Sequence, residues 1–148
     1  MMSKKLLKVI KEFISYTPNL KKDLEFLKKK VDLGAEYIVT QMFFNNAKFF
    51  DFVDKVRAMG INVPIIPGLK PLTTKSQLSL LPKSFHIDIP EDLAEAVEKC
   101  SNNAAVMEVG VEWAIQQCKE LKAAGVPVLH FYTMSKAKAT AAICKHIF

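Results

Sequence analysis

Two periodicities of apolar residues run through the chain. Leu6, Leu7, Ile10, Phe13 and Ile14 recur at helical spacing with lysines opposite, which predicts a terminal helix over residues 3–15. Leu20, Leu24, Leu27 and Val31 form the stripe of a second helix, Leu20–Leu33, with Gly34 as its stop. The stretch Tyr37–Asn46, YIVTQMFFNN, breaks that rhythm: it is apolar almost throughout. It predicts a strand over Tyr37–Phe44, covered on both faces as in a parallel sheet, entering a polar turn. Asn45 or Asn46 then caps a helix carrying Phe49, Phe50, Val53 and Val56 and stopping at Gly60.

The same unit recurs twice. Val63–Leu69 reads as a short strand bracketed by Pro64 and Pro67, followed by a loop and a short helix to Leu81 capped by Thr73 or Thr74. Phe85–Pro90 is a connector. Pro90 suits a helix start, with Glu91 and Asp92 matched to the helix dipole. Asn102 or Asn103 opens a long helix through Val106, Val109, Trp113 and Leu121 to Gly125. Val128–Thr133 is the third strand, and Ser135 caps a last helix, Lys136–Ile147. Helices alternating with short apolar strands predict an α/β fold with a parallel sheet and right-handed crossovers. Three strands are few for closure, since a whole (β/α)8 TIM barrel takes about 200–250 residues. The expected fold is therefore a partial barrel of about three parallel strands with flanking helices, or a small open sheet.

Composition narrows the function classes. The chain of 148 residues is 50% hydrophobic and 24% charged, as expected for one soluble globular domain. No apolar run reaches the ~18 residues of a membrane span. Lys8 and Lys11 interrupt the apolar residues near the start, which argues against a secretory signal and for a cytoplasmic protein. Cys100, Cys118 and Cys144 show no metal-ligand or disulfide spacing. The net charge of +6 is spread over helix faces rather than interleaved with aromatics, so no nucleic-acid partner is expected.

In parallel α/β folds ligands bind beyond the carboxyl ends of the strands. Those ends offer Thr40, Gln41, Asn45 and Asn46, then Lys70, Thr73, Thr74 and Gln77, then His130, Tyr132, Thr133, Ser135 and Lys136. The set is rich in amides and hydroxyls and poor in carboxylates, which suits hydrogen bonding to a polar heterocycle better than paired-acid chemistry. The bland alternatives are structural: Gln41 as a strand-end residue, His130 as a satisfied core histidine, the phenylalanines at 43, 44, 49 and 50 as core, and Lys28–Lys30 as a solvated helix face.

The blocks LKKKVDLGAEYIVTQMFF (27–44), VPIIPGLKPLTTKSQL (63–78), IDIPEDL (87–93) and VPVLHFYTMSKA (126–137) stand in an order that closely resembles the carboxyl-terminal half of the methylenetetrahydrofolate reductase family, over about Pro18 to Phe148. Residues 1–17 show no such resemblance and are expected to be a separate helix. The resemblance implies a flavin-dependent barrel enzyme that reduces 5,10-methylenetetrahydrofolate to 5-methyltetrahydrofolate with NAD(P)H and FAD. It implies substrate contacts for Gln41, Gln77 and Lys136, the last standing where the family often has arginine. It implies FAD contacts for Asp23, Lys29 and Lys30. Leu81 and Phe26 depart from residues that some members use on the ligand and the flavin. The family's catalytic glutamate has no counterpart, so no catalytic residue is assigned and the chain alone is expected to be nearly inactive. The alternative is a non-catalytic half-barrel that pairs with a copy of itself or with a separate amino-terminal half; a homo-oligomer is expected.

Overall fold

The computed structural model describes the backbone of residues 9–12 and residues 19–148 in full. Four parallel strands form one sheet: β1 (Val9–Glu12), β2 (Tyr37–Met42), β3 (Ile65–Leu69) and β4 (His130–Phe131). Their spatial order is β1-β2-β3-β4, the same as their order in the chain. A doubly wound sheet reverses direction at a switch point, whereas a barrel wall keeps adding strands on one side. The fold is therefore α/β of the partial-barrel kind. Its helices are α1 (Leu20–Asp32), α2 (Asn46–Ala58), α3 (Gln77–Phe85), α4 (Glu91–Glu98), α5 (Asn103–Ala123) and α6 (Lys138–Ile147).

Strand β1 corrects one expectation. The helix read over residues 3–15 is a strand at Val9–Glu12, paired in register Val9↔Tyr37 through Glu12↔Thr40. Helical spacing is a local signal. The outer edge of β2 presents a row of unpaired backbone groups, and an extended segment that pairs with it satisfies them. The rest of residues 3–15 lies outside the described residues. A second correction concerns His130. It is exposed rather than a core residue, because β4 is a two-residue strand at the rim of the sheet.

Local chemistry explains the helix boundaries. Asn19, Asn45 and Asn102 cap α1, α2 and α5 by accepting from the backbone N–H groups of Lys22, Ala47 and Ala105. The chain starts α3 differently from the threonine cap expected. Gln77 Oε1 accepts from the N–H groups of Thr73 (2.8 Å) and Thr74 (3.2 Å), so a glutamine inside the helix ties back the loop before it. The cap expected from Ser135 is also absent: α6 begins at Lys138, after Met134 and Ser135 take positive φ.

Two apolar clusters hold the layers together. One joins α1, β2, α2, β3, α5 and α6 around Leu27, Ile38, Phe49, Val56, Leu69, Leu121 and Ile143. Phe43 and Phe49 stack there at 5.2 Å between ring centroids, and burial of each ring contributes about 1.5–3 kcal/mol. Cys118 lies in this cluster; burial, with Cys144 second, pushes its thiol up to about 11, leaving it unreactive near neutrality. The other cluster gathers Met42, Phe44, Leu72, Leu81, Leu93, Val97 and Val106 beyond the carboxyl ends of the strands.

Between them α5 acts as a polar clamp. Gln117 Nε2 donates to the Phe43 carbonyl (3.2 Å) and Trp113 Nε1 to the Phe44 carbonyl (2.9 Å). Asn46 Nδ2 returns a bond to the Gln117 carbonyl (3.2 Å) and one to Glu120 Oε2 (2.8 Å). These bonds satisfy the backbone where it leaves β2 in a buried setting. Gly110 lets α5 press directly on the loop after β3, since a Cβ there would overlap the Leu72 carbonyl. Gly110→Ala is therefore expected to lower unfolding stability by about 3 kcal/mol in urea titrations, with Gly125→Ala as a turn control; an unchanged midpoint for Gly110→Ala would contradict this packing.

Candidate functional site

Three strand ends are locked into one surface by a set of contacts across the sheet. The Thr40 hydroxyl accepts from the Gly68 N–H at 2.9 Å, and Tyr132 Oη donates to the Thr40 carbonyl at 2.9 Å. Tyr132 crosses β3 at Gly68, where a Cβ would stand 2.6 Å from the Tyr132 ring. The β2–β3 register shifts between Val39 and Met42, just where the Thr40 hydroxyl takes over from a regular ladder bond. The Tyr132 phenol is raised above its usual pKa by burial, so it stays a neutral donor.

Beyond this lock lies a cavity of about 380 Å³, walled by the loop after β3, the start of α3, the β4–α6 connection and α6. Gln77 and Lys136 both line it, together with Lys70, Thr73, Tyr132 and Thr140. Gln77 Oε1 is engaged by the two threonine N–H groups, which leaves its Nε2 as a donor. Gln41 sits on the neighbouring strand, half-buried, with its Oε1 accepting from the Met42 N–H at 3.0 Å. It is outside the lining of this cavity. Asp23, Lys29 and Lys30 are exposed on α1, also outside the cavity lining. On the same helix the ammonium groups of Lys22 and Lys29 lie 6.0 and 5.4 Å from the Phe26 ring centroid. Gln77 and Lys136 are thus brought together, while Gln41 and the α1 residues are not joined to them by any described contact.

Sequence reasoning placed Lys70 at a strand end but gave it no special role. Its side chain is 8% exposed, and no hydrogen bond or ion pair engages its ammonium among the described residues. Burial first, and Lys136 second, hold its pKa below 10.5. Among the described residues the wall holds no aspartate or glutamate. The signal that could have found it is a lysine directly after the buried run IIPGL, a position that ends a strand covered on both faces. A larger groove, about 790 Å³, opens between the starts of α2 and α4 and α5, lined by Asp92, Glu108, Glu112 and Glu120. It is walled mainly by helices, whereas the smaller cavity receives the chain leaving β3 and β4, where parallel sheets present their chemistry. Among the described residues no His, Cys, Asp and Glu group is placed to hold a metal ion, and no helix is long and apolar enough to cross a membrane.

A parallel sheet whose strands follow one another in chain order, with helices between them, defines an α/β protein of the partial-barrel class. The family model for methylenetetrahydrofolate reductase matches residues 12–147, beginning within the segment before Pro18. The chain belongs to the methylenetetrahydrofolate reductase family. It is similar to methylenetetrahydrofolate reductase 1 of Schizosaccharomyces pombe, 38% identical over 135 residues, covering 89% of this chain and 22% of that protein. Methylenetetrahydrofolate reductase (NADH) 1 of Arabidopsis thaliana is 37% identical over 84% of this chain and 21% of its own length. The 5,10-methylenetetrahydrofolate reductase of Salmonella typhimurium is 36% identical over 82% of this chain and 42% of its own. The chain thus spans between a fifth and less than half of these relatives. A solved structure of an uncharacterized protein from Clostridium thermocellum that binds two copies of 5-methyl-5,6,7,8-tetrahydrofolic acid shares the fold. Its TM-score is 0.57 at 18% identity, over 92% of this chain and 51% of that one.

The unpaired charge of Lys70 has a stability consequence. A folded pKa below the unfolded value means that the unfolded chain binds the proton more tightly. The penalty is therefore complete at pH 7 and fades as the pH rises through the lowered value toward 10.5. Lys70→Met is expected to be more stable than the parent by about 1–3 kcal/mol at pH 7, with the gap closing in alkaline buffer. Urea melts at both pH values check this; the ionisation of Tyr132 acts on both proteins and cancels in the difference. A parent more stable than the variant at pH 7 would refute it.

Proposed function

We propose that this chain supplies the substrate-facing wall of a flavin-dependent reductase that converts 5,10-methylenetetrahydrofolate to 5-methyltetrahydrofolate with NAD(P)H. The observation that supports the reading is the family match over residues 12–147, which includes Gln41 near the end of β2 and Gln77 at the start of α3. With its Oε1 turned to the Met42 N–H, Gln41 presents its amide nitrogen as a donor to a pterin or carboxamide edge. Gln77 offers a donor in the same way, and Lys136 offers positive charge. Lys136 is a point charge without the two-pronged geometry of arginine, so it attracts an anion without fixing its orientation.

For FAD, the residues present fit one part of the group. Exposed Lys29 and Lys30, with Asp23 and Phe26 on the same helix, provide cations suited to a pyrophosphate and an aromatic surface beside them. FAD, when bound, supplies the hydride relay between the nicotinamide and the folate. Among the described residues the cavity wall carries no carboxylate that could protonate a leaving nitrogen, and such general-acid help is worth about 10²–10⁴-fold. The chain therefore binds and orients substrate but does not by itself complete the reaction.

Calorimetric titration of 5-methyltetrahydrofolate onto the purified chain tests the binding. The expected result is measurable affinity that Gln41→Ala weakens about tenfold. Absence of binding at millimolar ligand would overturn the reading. With FAD and NAD(P)H added, substrate-dependent NAD(P)H oxidation should stay near background; robust turnover would show that an acid is present after all.

A second reading is favoured by the sheet edges. Among the described residues β1 pairs only with β2, and β4 only with β3. Exposed strand edges drive association with a further strand. We therefore also propose that the chain associates with a copy of itself or with another barrel portion. Sedimentation should show dimers or larger species at tens of micromolar; a strictly monomeric, well-folded protein would exclude self-association.

A further inference from the structure

The cavity beyond β3 and β4 is built from donors. Lys70 and Lys136 bring two ammonium groups to one small volume, and each makes the other's charge more costly. Gln77 faces it with an amide nitrogen, since its oxygen is held by the Thr73 and Thr74 N–H groups. Thr140 adds a buried hydroxyl with no hydrogen-bond partner among the described residues. Tyr132 spends its own hydroxyl on the Thr40 carbonyl. Among the described residues no acidic side chain lines the space. A nine-tenths-buried lysine with no acceptor among the described residues is a costly arrangement for a folded chain, and one that an incoming anion relieves.

We propose that Lys70 is a further specificity-determining residue of this cavity, and that it gives the cavity a preference for an oxyanion, a carboxylate or a phosphate, beside Lys136. The inference deepens the proposed function, because it rests on this face being the substrate face, and it assigns Lys70 a role that the sequence resemblance does not give it. Both proposed substrate classes carry the required chemistry: a folate bears the carboxylates of its glutamate, and a nicotinamide dinucleotide bears a pyrophosphate. Lys136, exposed at the rim, draws the anion in and stays partly hydrated. Lys70, buried at the floor beside the end of β3, meets it where water is scarce and the charge interaction is strongest.

The test is calorimetric titration of the full chain with two probes, p-aminobenzoylglutamate and inorganic pyrophosphate, at low and moderate salt. The parent should bind at least one of them. Lys70→Met should weaken that binding about tenfold or more, Lys70→Arg should retain most of it, and Lys119→Met should serve as a control for net charge. Binding should also decline as the pH rises through the lowered pKa of Lys70. Among the described residues Lys136 and the Tyr132 phenol, raised above its usual pKa by burial, are the other titratable groups lining the cavity, so Lys136→Met and Tyr132→Phe are titrated in parallel to separate them from Lys70. Binding of p-aminobenzoylglutamate supports the anion site and the folate reading together. Binding of pyrophosphate alone supports the anion site while removing folate from it. Lack of binding by both probes at millimolar concentration, or equal binding by the parent and Lys70→Met, overturns the proposal. Lys70→Met is expected to stay folded because it removes an unpaired buried charge, and a urea melt of the variant beside the parent separates a loss of binding from unfolding.

Discussion

The carboxyl end of the sheet depends on the missing side chain of Gly68. Three strands meet there: the Gly68 N–H reaches the Thr40 hydroxyl, and the Tyr132 ring lies across β3 to reach the Thr40 carbonyl. Any Cβ at position 68 would collide with that ring and with the Thr40 backbone. The contact fixes how far β2, β3 and β4 project, and so where the loops after β3 and β4 begin. Gly110 repeats the principle one layer away, by allowing α5 to rest on the loop that leaves β3. Close backbone approach at two glycines thus turns three short strands into one rigid rim.

Polar side chains on α5 solve a second problem created by that geometry. The backbone of Phe43 and Phe44 leaves the ladder while still buried, and its carbonyls find partners in Gln117 and Trp113. Gln117 and Asn46 are themselves buried and bonded to each other, so the connection from β2 to α2 is held by a satisfied network rather than by apolar contact alone. The rim is therefore supported from the helix layer as well as along the sheet.

Against this rigid background the charge distribution of the cavity is a local conflict. Lys70 and Lys136 repel, and Lys70 lies where desolvation is costly. Local rules that favour stability are broken at sites that bind or react, and the stability lost there is made up elsewhere in the fold. The apolar clusters on both sides of the rim supply that compensation. Lys29 and Lys30 on α1 are exposed, and their charge is screened by solvent and salt.

The sequence by itself determined the elements whose cause is local. The asparagine pairs Asn45–Asn46 and Asn102–Asn103 announce their helices because an asparagine side chain can reach the N–H groups of the next turn without help from the rest of the chain. The apolar runs around Val39 and Ile66, with helices between, carried the parallel sheet and the partial barrel, and the ordered blocks carried the family. Only the tertiary structure decided that Val9–Glu12 is a strand, since the partner that makes it one is the edge of β2. It also decided that His130 is exposed at the rim, that Gln77 ties its own loop and that Lys70 is buried beside Lys136. Each of these rests on which backbone edge or side chain comes into reach once the strands align, a distance that the local pattern of residues does not encode.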